Sequence, residues 1–293
     1  MAEAQLALDV LPERRRWRPR VILRRHLMGV TGVAILLFLG LVALAAPVIT
    51  PSDPLAQDAP ALARPSLSHP FGTDLLGRDV FSRVVHGARI SLGIGFAAVT
   101  IGVLGGCLLG VISGYFGGSV DYLMQRLVEV ILAFPLLILL LVIVAAVGAS
   151  VQNVILVIGV VMAPFMSRIV RAIVLTEKEL PYIEAARSLG ASDTRILFRH
   201  LLPSVFPLAG ILASIALGGV IMAEAALSFL GLGVPPPNPS WGADLSGNAR
   251  TYFQHAPWLA VFPGLALSLT IVGANLLAEA VRDVVDPFGQ SVR

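Results

Sequence analysis

The sequence is poor in charge. Only 13% of its 293 residues are charged, whereas 56% are hydrophobic, and an average soluble domain has about 25% charged residues. The mean hydropathy is +0.85. So little charge excludes an ordinary soluble domain. The apolar residues form long runs rather than short alternating segments, which disfavours a membrane β-barrel. We therefore predict an all-α integral membrane protein.

Residue types that common catalytic and metal sites require are scarce or scattered. Cys107 is the single cysteine, which excludes an intrachain disulfide, and no Cys/His cluster has metal-ligand spacing. Lys178 is the single lysine and lies between two glutamates, which excludes a phosphate-binding P-loop. No Gly-x-Ser-x-Gly motif is present, and the five histidines are scattered. We predict no catalytic residue, metal site or cofactor in this chain, and no contact with nucleic acid.

Six apolar runs are long enough, or nearly so, to cross a bilayer core, which requires about 20 residues. The fourth is the shortest, ends at Pro164 and follows a tight reversal at residues 148–152. The predicted loops are an outer loop 50–90, a cytoplasmic loop 167–204 and an outer loop 231–257. The predicted spans are Met28–Ile49, Ser91–Ser113, Leu127–Val147, Val151–Phe165, Val205–Leu230 and Trp258–Leu277.

The basic segment 1–27 precedes the first span. That span contains Ala43-Leu44-Ala45, a small-residue pattern typical of signal-peptide cleavage, but it is longer than the apolar core of a signal, about 7–15 residues, and more spans follow. We predict a retained helix. With the N-terminus inside, 16 of the 21 Lys and Arg residues lie in inner segments, so both termini are predicted to be cytoplasmic. Arginines of the first outer loop alternate with Asp74 and Asp79, which indicates that this loop packs on the protein or the membrane interface.

A charged, helix-forming segment separates the fourth and fifth spans. It contains two helical pieces, Glu179–Leu189 and Ser192–Leu202, joined by Gly190, which favours a left-handed turn. Ser192 or Asp193 can cap the second piece. In the first piece, a narrow apolar stripe is formed by Ile183, Ala186 and Leu189, with Glu184 and Arg187 beside it. This pattern fits docking into a groove of another protein and equally fits a loop lying on the lipid surface.

The same segment resembles the EAA loop of ABC importer permeases. The matching elements are Glu184-Ala185-Ala186, then Gly190, then Leu202-Pro203. The family's usual Ile two residues before Leu-Pro is His200 here. The resemblance implies a coupling helix that docks into a cytoplasmic ATP-binding subunit. The docking residues that it implies are Ile183, Glu184, Ala185, Ala186, Arg187, Leu189, Gly190, Leu202 and Pro203.

Three further stretches resemble the second permease subunit of the dipeptide/oligopeptide branch. They are His69–Leu92, Leu227–Leu245 and Arg282–Pro287. The resemblance implies a multi-pass protein of the bacterial plasma (inner) membrane that forms a heterodimer with a homologous permease. It also implies two ATP-binding subunits that bind ATP and Mg, and an extracytoplasmic binding protein. Peptide is the expected cargo, and a nickel chelate or haem is the alternative in the same branch.

An ion-coupled secondary transporter is disfavoured, because the sequence has neither an internal repeat nor ionisable groups in series across the membrane. Glu224 could line the pathway, pair with Arg250 or pair with an interfacial helix end. Trp241 could contact a partner or the membrane interface.

Small residues recur every four positions on two spans. The second span carries Gly102, Gly106, Gly110 and Gly114, and the fifth carries Gly210, Ser214 and Gly218. Such flat faces predict close approach of another helix.

Overall fold

A computed structural model describes residues 19–285. The basic residues before Pro19 and the last two residues of the Arg282–Pro287 stretch lie outside this range. Within it the chain is helical, and its β-type pairing is limited to the isolated bridge between Thr73 and Asp79. A π-helical turn, Leu197–Leu201, leads into the long helix that begins at Leu202. The helices are α1 (Pro19–Ile49), α2 (Val80–Phe116), α3 (Gly118–Leu132), α4 (Leu136–Val147), α5 (Val151–Glu177), α6 (Pro181–Ser188), α7 (Asp193–Ile196), α8 (Leu202–Phe229), α9 (Trp241–Leu245), α10 (Asn248–Thr251) and α11 (Trp258–Val285).

Five helical segments among the described residues are long and apolar enough to cross a membrane, and the number is six if the bent pair of α3 and α4 is counted as one broken span. The two helices of that pair meet at 92°, so the segment predicted as the third span, Leu127–Val147, is sharply bent between Leu132 and Leu136. Pro135 explains the break, because it lacks an N–H and disfavours the helical conformation of the preceding residue. α4 restarts with the Leu139 N–H donating to the Pro135 carbonyl at 3.0 Å.

Two spans extend well beyond the predicted apolar runs. α2 begins at Val80 rather than Ser91, so the predicted outer loop 50–90 ends eleven residues early. α5 continues through Pro164 to Glu177, and the prediction that this span ends near Phe165 is wrong. An apolar run ends where charged residues begin. The helix itself continues, because those charged residues form hydrogen bonds and ion pairs with other parts of the chain.

The chain order places the helix ends at two opposite poles of the bundle. The long-loop end carries loops 50–79 and 230–257. The EAA end, named for Glu184-Ala185-Ala186, carries the segment 178–201. α2 and α5 run in the same direction, because residues 102, 110 and 114 of α2 lie beside residues 159, 170 and 174 of α5. The broken α3–α4 span supplies the return between them.

Glycines of α2 allow α5 to approach closely. A Cβ added at Gly110 would lie 2.6 Å from the Val170 Cβ, and one at Gly114 would lie 2.9 Å from the Val174 Cβ. The predicted flat face is therefore confirmed for the second span. The related face of the fifth span is only partly used, because nothing lies within 4 Å of a Cβ at Gly210.

Loop 50–79 packs against helix ends at the long-loop end, as one of the two sequence alternatives predicted. Asp79 caps α2, its Oδ2 accepting from the Ser82 N–H at 2.7 Å. The Trp258 indole N–H donates to the Thr73 carbonyl at 3.1 Å. These contacts fix the loop to the first turns of α2 and α11.

Candidate partner-docking site

The EAA segment forms a short helix closed by a glycine turn. α6 begins with Pro181 at its first position, where a missing N–H costs nothing. Gly190 has φ +79°, and its N–H donates to the Arg187 carbonyl at 2.9 Å. The Ala191 N–H donates to the Ala186 carbonyl at 3.0 Å. This pair of bonds is a Schellman motif, so the predicted turn at Gly190 is confirmed.

The second helical piece is shorter and less regular than predicted. Ser192 is the cap, its Oγ accepting from the Arg195 N–H at 3.4 Å, and α7 covers only Asp193–Ile196. The π-helical turn then leads directly into α8, so Leu202 and Pro203 lie in the first turn of that span. Pro203 is exposed and Leu202 is half-buried.

The apolar stripe predicted for the first piece does not form one face. Ile183 is fully buried within this chain, whereas Leu189 is 88% exposed and Ala186 is half-buried. A helix has 3.6 residues per turn, so residues spaced by exactly three do not stay on one face. Positions 183 and 189, six residues apart, therefore point in different directions. Ile183 anchors α6 to the bundle. The predicted docking residues left on the surface of α6 and its turn are Glu184, Ala185, Arg187, Leu189 and Gly190.

A tyrosine in α6 ties the start of the helix to its surroundings. The Tyr182 hydroxyl donates to Glu177 Oε1 at 2.7 Å. Burial, and then this hydrogen bond, raise the pKa of Tyr182 to about 12, so the hydroxyl keeps its proton at neutral pH. His200, at the position where the EAA pattern has Ile, lies with its ring centroid 6.2 Å from that of Tyr182.

Two contacts that the sequence did not predict bind the segment to α2. Lys178 Nζ donates to the Gly114 carbonyl at 3.0 Å, and the Tyr115 hydroxyl donates to Asp193 Oδ1 at 2.6 Å. The Arg187 guanidinium lies 5.3 Å from the centroid of the Tyr115 ring. The sequence does mark Lys178 as a lone lysine and Tyr115 as an aromatic residue near the end of a span. No sequence pattern, however, pairs either of them with a partner 64 to 78 positions away.

A polar cavity of about 620 Å³ opens beside α3 at the same end. The Arg171 Nε donates to Asp121 Oδ1 at 2.5 Å, and Ser113 also donates to this carboxylate. This cluster joins α2, α3 and α5. The cavity lining consists of Gly118, Asp121, Tyr122, Gln125, Glu129, Arg168 and Arg171.

Glu224 and Trp241 are both fully buried within this chain, so neither faces open space. Glu224 Oε1 accepts from the Ser228 hydroxyl at 2.8 Å. Among the residues that the structure describes, Glu224 Oε2 has no hydrogen-bond partner and Arg250 is exposed, so the predicted pairing of Glu224 with Arg250 is wrong. The Trp241 indole N–H donates to the Val84 carbonyl at 3.0 Å. The early start of α2 brings Val84 under the indole, and this explains why Trp241 is a core residue rather than an interfacial one.

Charged side chains pair at the long-loop end around a cavity of about 320 Å³. Arg78 Nε donates to Asp74 Oδ2 at 2.6 Å, and Arg83 Nε donates to Asp244 Oδ1 at 3.0 Å. Burial raises the pKa of the Asp244 carboxyl, and the positive charge of Arg83 opposes that rise. The Arg83–Asp244 pair joins the first turns of α2 to α9.

Residues 106–288, more than half of the chain, match the family described as binding-protein-dependent transport system inner membrane components. The chain belongs to this family. Residues 14–70 also match the N-terminal transmembrane domain of oligopeptide transport permease C. The resemblance seen in the sequence to the second permease subunit of the dipeptide/oligopeptide branch is thereby confirmed. Proteins of this family are multi-pass transporter subunits of the inner membrane and are not themselves catalytic.

Relatives similar to this permease cover most of its length. The dipeptide transport system permease protein DppC of Alkalihalophilus pseudofirmus is 40% identical over 267 residues, which is 90% of this chain and 87% of the relative. The glutathione transport system permease protein GsiD of Pectobacterium atrosepticum is 41% identical over 280 residues, 94% of this chain and 91% of the relative. The GsiD protein of Escherichia coli is 43% identical over 266 residues, 90% and 88% of the two chains.

Proposed function

We propose that this permease forms half of the translocation pathway of an ATP-binding-cassette importer, as a heterodimer with a homologous permease. Two cytoplasmic ATP-binding subunits, which bind ATP and Mg²⁺, supply the energy, and an extracytoplasmic binding protein delivers the cargo. Family membership supports this assembly. The absence of a P-loop from the sequence supports the assignment of ATP hydrolysis to a partner.

The exposed coupling helix is the observation that carries the proposal. α6 is anchored by the buried Ile183, whereas Glu184, Ala185 and Arg187 are exposed. The Schellman turn then leaves Leu189 exposed immediately after the helix. A short helix with charges beside an exposed leucine suits a groove on a partner. Leu202, which is half-buried, and Pro203, which is exposed, lie in the first turn of α8.

The EAA end is cytoplasmic in this proposal, and both chain termini lie on the same side. The support is the bias of Lys and Arg toward the segments predicted to be inner, which include the EAA segment 178–201. The long-loop end then faces the binding protein. Its proline-containing loop 231–240 and the cavity beside Asp244 are available to that partner.

The proposed cargo is a peptide, including the tripeptide glutathione. This chain is 40–43% identical to permeases named for dipeptide and glutathione transport. Those names support a peptide cargo. Uptake of a radiolabelled dipeptide and of radiolabelled glutathione, each in competition with unlabelled peptide, would test it. Competition by a nickel chelate or by haem, with none from peptide, would contradict the peptide assignment.

Charge reversal at Glu184 tests the docking surface. We expect Glu184→Lys to reduce the amount of ATP-binding subunit that co-purifies with the tagged permease in mild detergent. Glu179→Lys is the matched control, because Glu179 is also exposed but precedes α6. Equal losses in the two variants, or no loss in either, would contradict docking at α6 and favour a loop that lies on the lipid surface.

A further inference from the structure

Both ends of the coupling segment are attached to the same turn of α2. Lys178, just before α6, donates to the carbonyl of Gly114 at 3.0 Å. Asp193, the first residue of α7, accepts from the hydroxyl of Tyr115 at 2.6 Å. Gly114 and Tyr115 are neighbours in the last turn of α2. The two hydrogen bonds therefore bracket α6 and its glycine turn.

Tyr115 also contacts the coupling helix itself. Its ring lies under the Arg187 guanidinium, 5.3 Å from the centroid, and the residue is 7% exposed. A hydroxyl donating to a carboxylate makes a charge-assisted hydrogen bond, which is roughly twice as strong as a neutral one. Tyr115 of α2 therefore contacts both α6, through Arg187, and α7, through Asp193.

α2 is long and packs closely against α5. Its 37 residues span about 55 Å at 1.5 Å per residue. Gly114, which accepts from Lys178, is also part of the close α2–α5 contact. The other end of α2 carries Arg83, which is paired with Asp244 of α9. One helix thus connects the coupling segment to the ion pair at the long-loop end.

We propose that Tyr115 positions the coupling segment on α2, and that α2 carries a displacement of that segment to the Arg83–Asp244 pair at the long-loop end. This inference rests on the proposed function, because the displacement comes from an ATP-binding subunit docked on α6. Loss of the Tyr115 hydroxyl leaves docking intact and uncouples the two ends.

The test compares two tyrosine-to-phenylalanine variants in the assembled complex. Tyr115→Phe removes the hydrogen bond to Asp193 and keeps the ring under Arg187. Tyr182→Phe is the matched control, because its hydroxyl also donates to a carboxylate at the EAA end, but to Glu177 only five residues away. The readout is the maleimide labelling rate of Asn238→Cys, at the cavity of the long-loop end, in a background without Cys107, with and without ATP and vanadate.

We expect a several-fold nucleotide-dependent change of the labelling rate in the parent and in Tyr182→Phe, and its loss in Tyr115→Phe. ATP-binding subunits should co-purify equally with all three. If Tyr115→Phe does not assemble, Asp193→Ala removes the same hydrogen bond from the acceptor side and should give the same loss.

An unchanged response in Tyr115→Phe, or in Asp193→Ala where that variant is used, would overturn the inference. A parent complex that hydrolyses ATP without any change of labelling at residue 238 would also overturn the inference. Neither of these results would contradict the proposed function. A parent that brings down no ATP-binding subunit would overturn the proposed function and the inference together.

Discussion

Replacing Gly110 by alanine should force α2 and α5 apart. The new Cβ would lie 2.6 Å from the Val170 Cβ and 2.7 Å from the Ser167 carbonyl oxygen. Unstrained carbon contacts lie at about 3.5–4.0 Å, so the two helices must separate locally by about 1 Å. Overpacking of this kind costs about 1–3 kcal/mol. Alanine's helical preference over glycine returns about 0.5–1 kcal/mol, which leaves a net loss of up to about 2.5 kcal/mol.

Gly93→Ala is the matched control for this prediction. Gly93 lies in the same helix, but nothing is within 4 Å of its Cβ position, so only the helix preference acts and the change should be neutral or slightly stabilising. The assay is unfolding of the purified permease by SDS titration in mixed micelles, followed by circular dichroism. Gly110→Ala should unfold at lower SDS than the parent, and Gly93→Ala should not. Coincident curves for the two variants would refute the close α2–α5 contact.

Three other predictions follow from single features of the structure. Arg83→Ala should destabilise the permease, by at most about 3–5 kcal/mol, because it leaves the mostly buried carboxylate of Asp244, 13% exposed, without its ion-pair partner. A double variant with both residues made apolar should recover most of that loss in the same SDS titration, and equal instability of the two would contradict this. Gly190→Val should abolish co-purification of the ATP-binding subunits, because a β-branched residue cannot adopt φ +79° without strain; parental yield would show that the turn is not needed. Single cysteines at Leu67 and Leu189, both highly exposed, should react with an impermeant maleimide from opposite sides of the membrane, and labelling from one side would contradict the proposed orientation.

The parts of the fold that depend on local pattern could be predicted from the sequence. The glycine spacing on α2 predicted a close helix contact, and a small-residue face needs no distant partner to be recognised. Gly190 and Ser192 likewise predicted the turn and cap of the EAA segment, because their roles follow from backbone conformation and hydrogen bonding within a few residues.

Features that depend on distant partners could not be predicted. Trp241 reads as an interfacial aromatic residue, but Val84 accepts its N–H from 157 positions away. The sequence predicts too late a start for α2, because Arg83 resembles a loop residue until its pairing with Asp244 is known. The role of Tyr115 has no local signal either, since its acceptor Asp193 lies 78 residues along the chain.

The position of Ile183 shows the limit of a motif read as a set of equivalent residues. The EAA resemblance placed it with the docking residues, whereas its side chain is fully buried within this chain. A short amphipathic helix has two apolar contacts to make, one with its own bundle and one with a partner. The sequence does not say which leucine or isoleucine serves which contact, and burial separates them.

The most direct test of the account is a site-specific crosslink from the coupling segment. A photoreactive amino acid at Leu189, which is 88% exposed beside the glycine turn, would be activated in intact cells, and the crosslinked product would be identified by mass spectrometry. Docking at α6 predicts crosslinked peptides of an ATP-binding subunit that carries a P-loop, and none from the same probe at Leu67 in the long loop. Crosslinks from residue 189 to lipid alone, or to proteins without a P-loop, would contradict it.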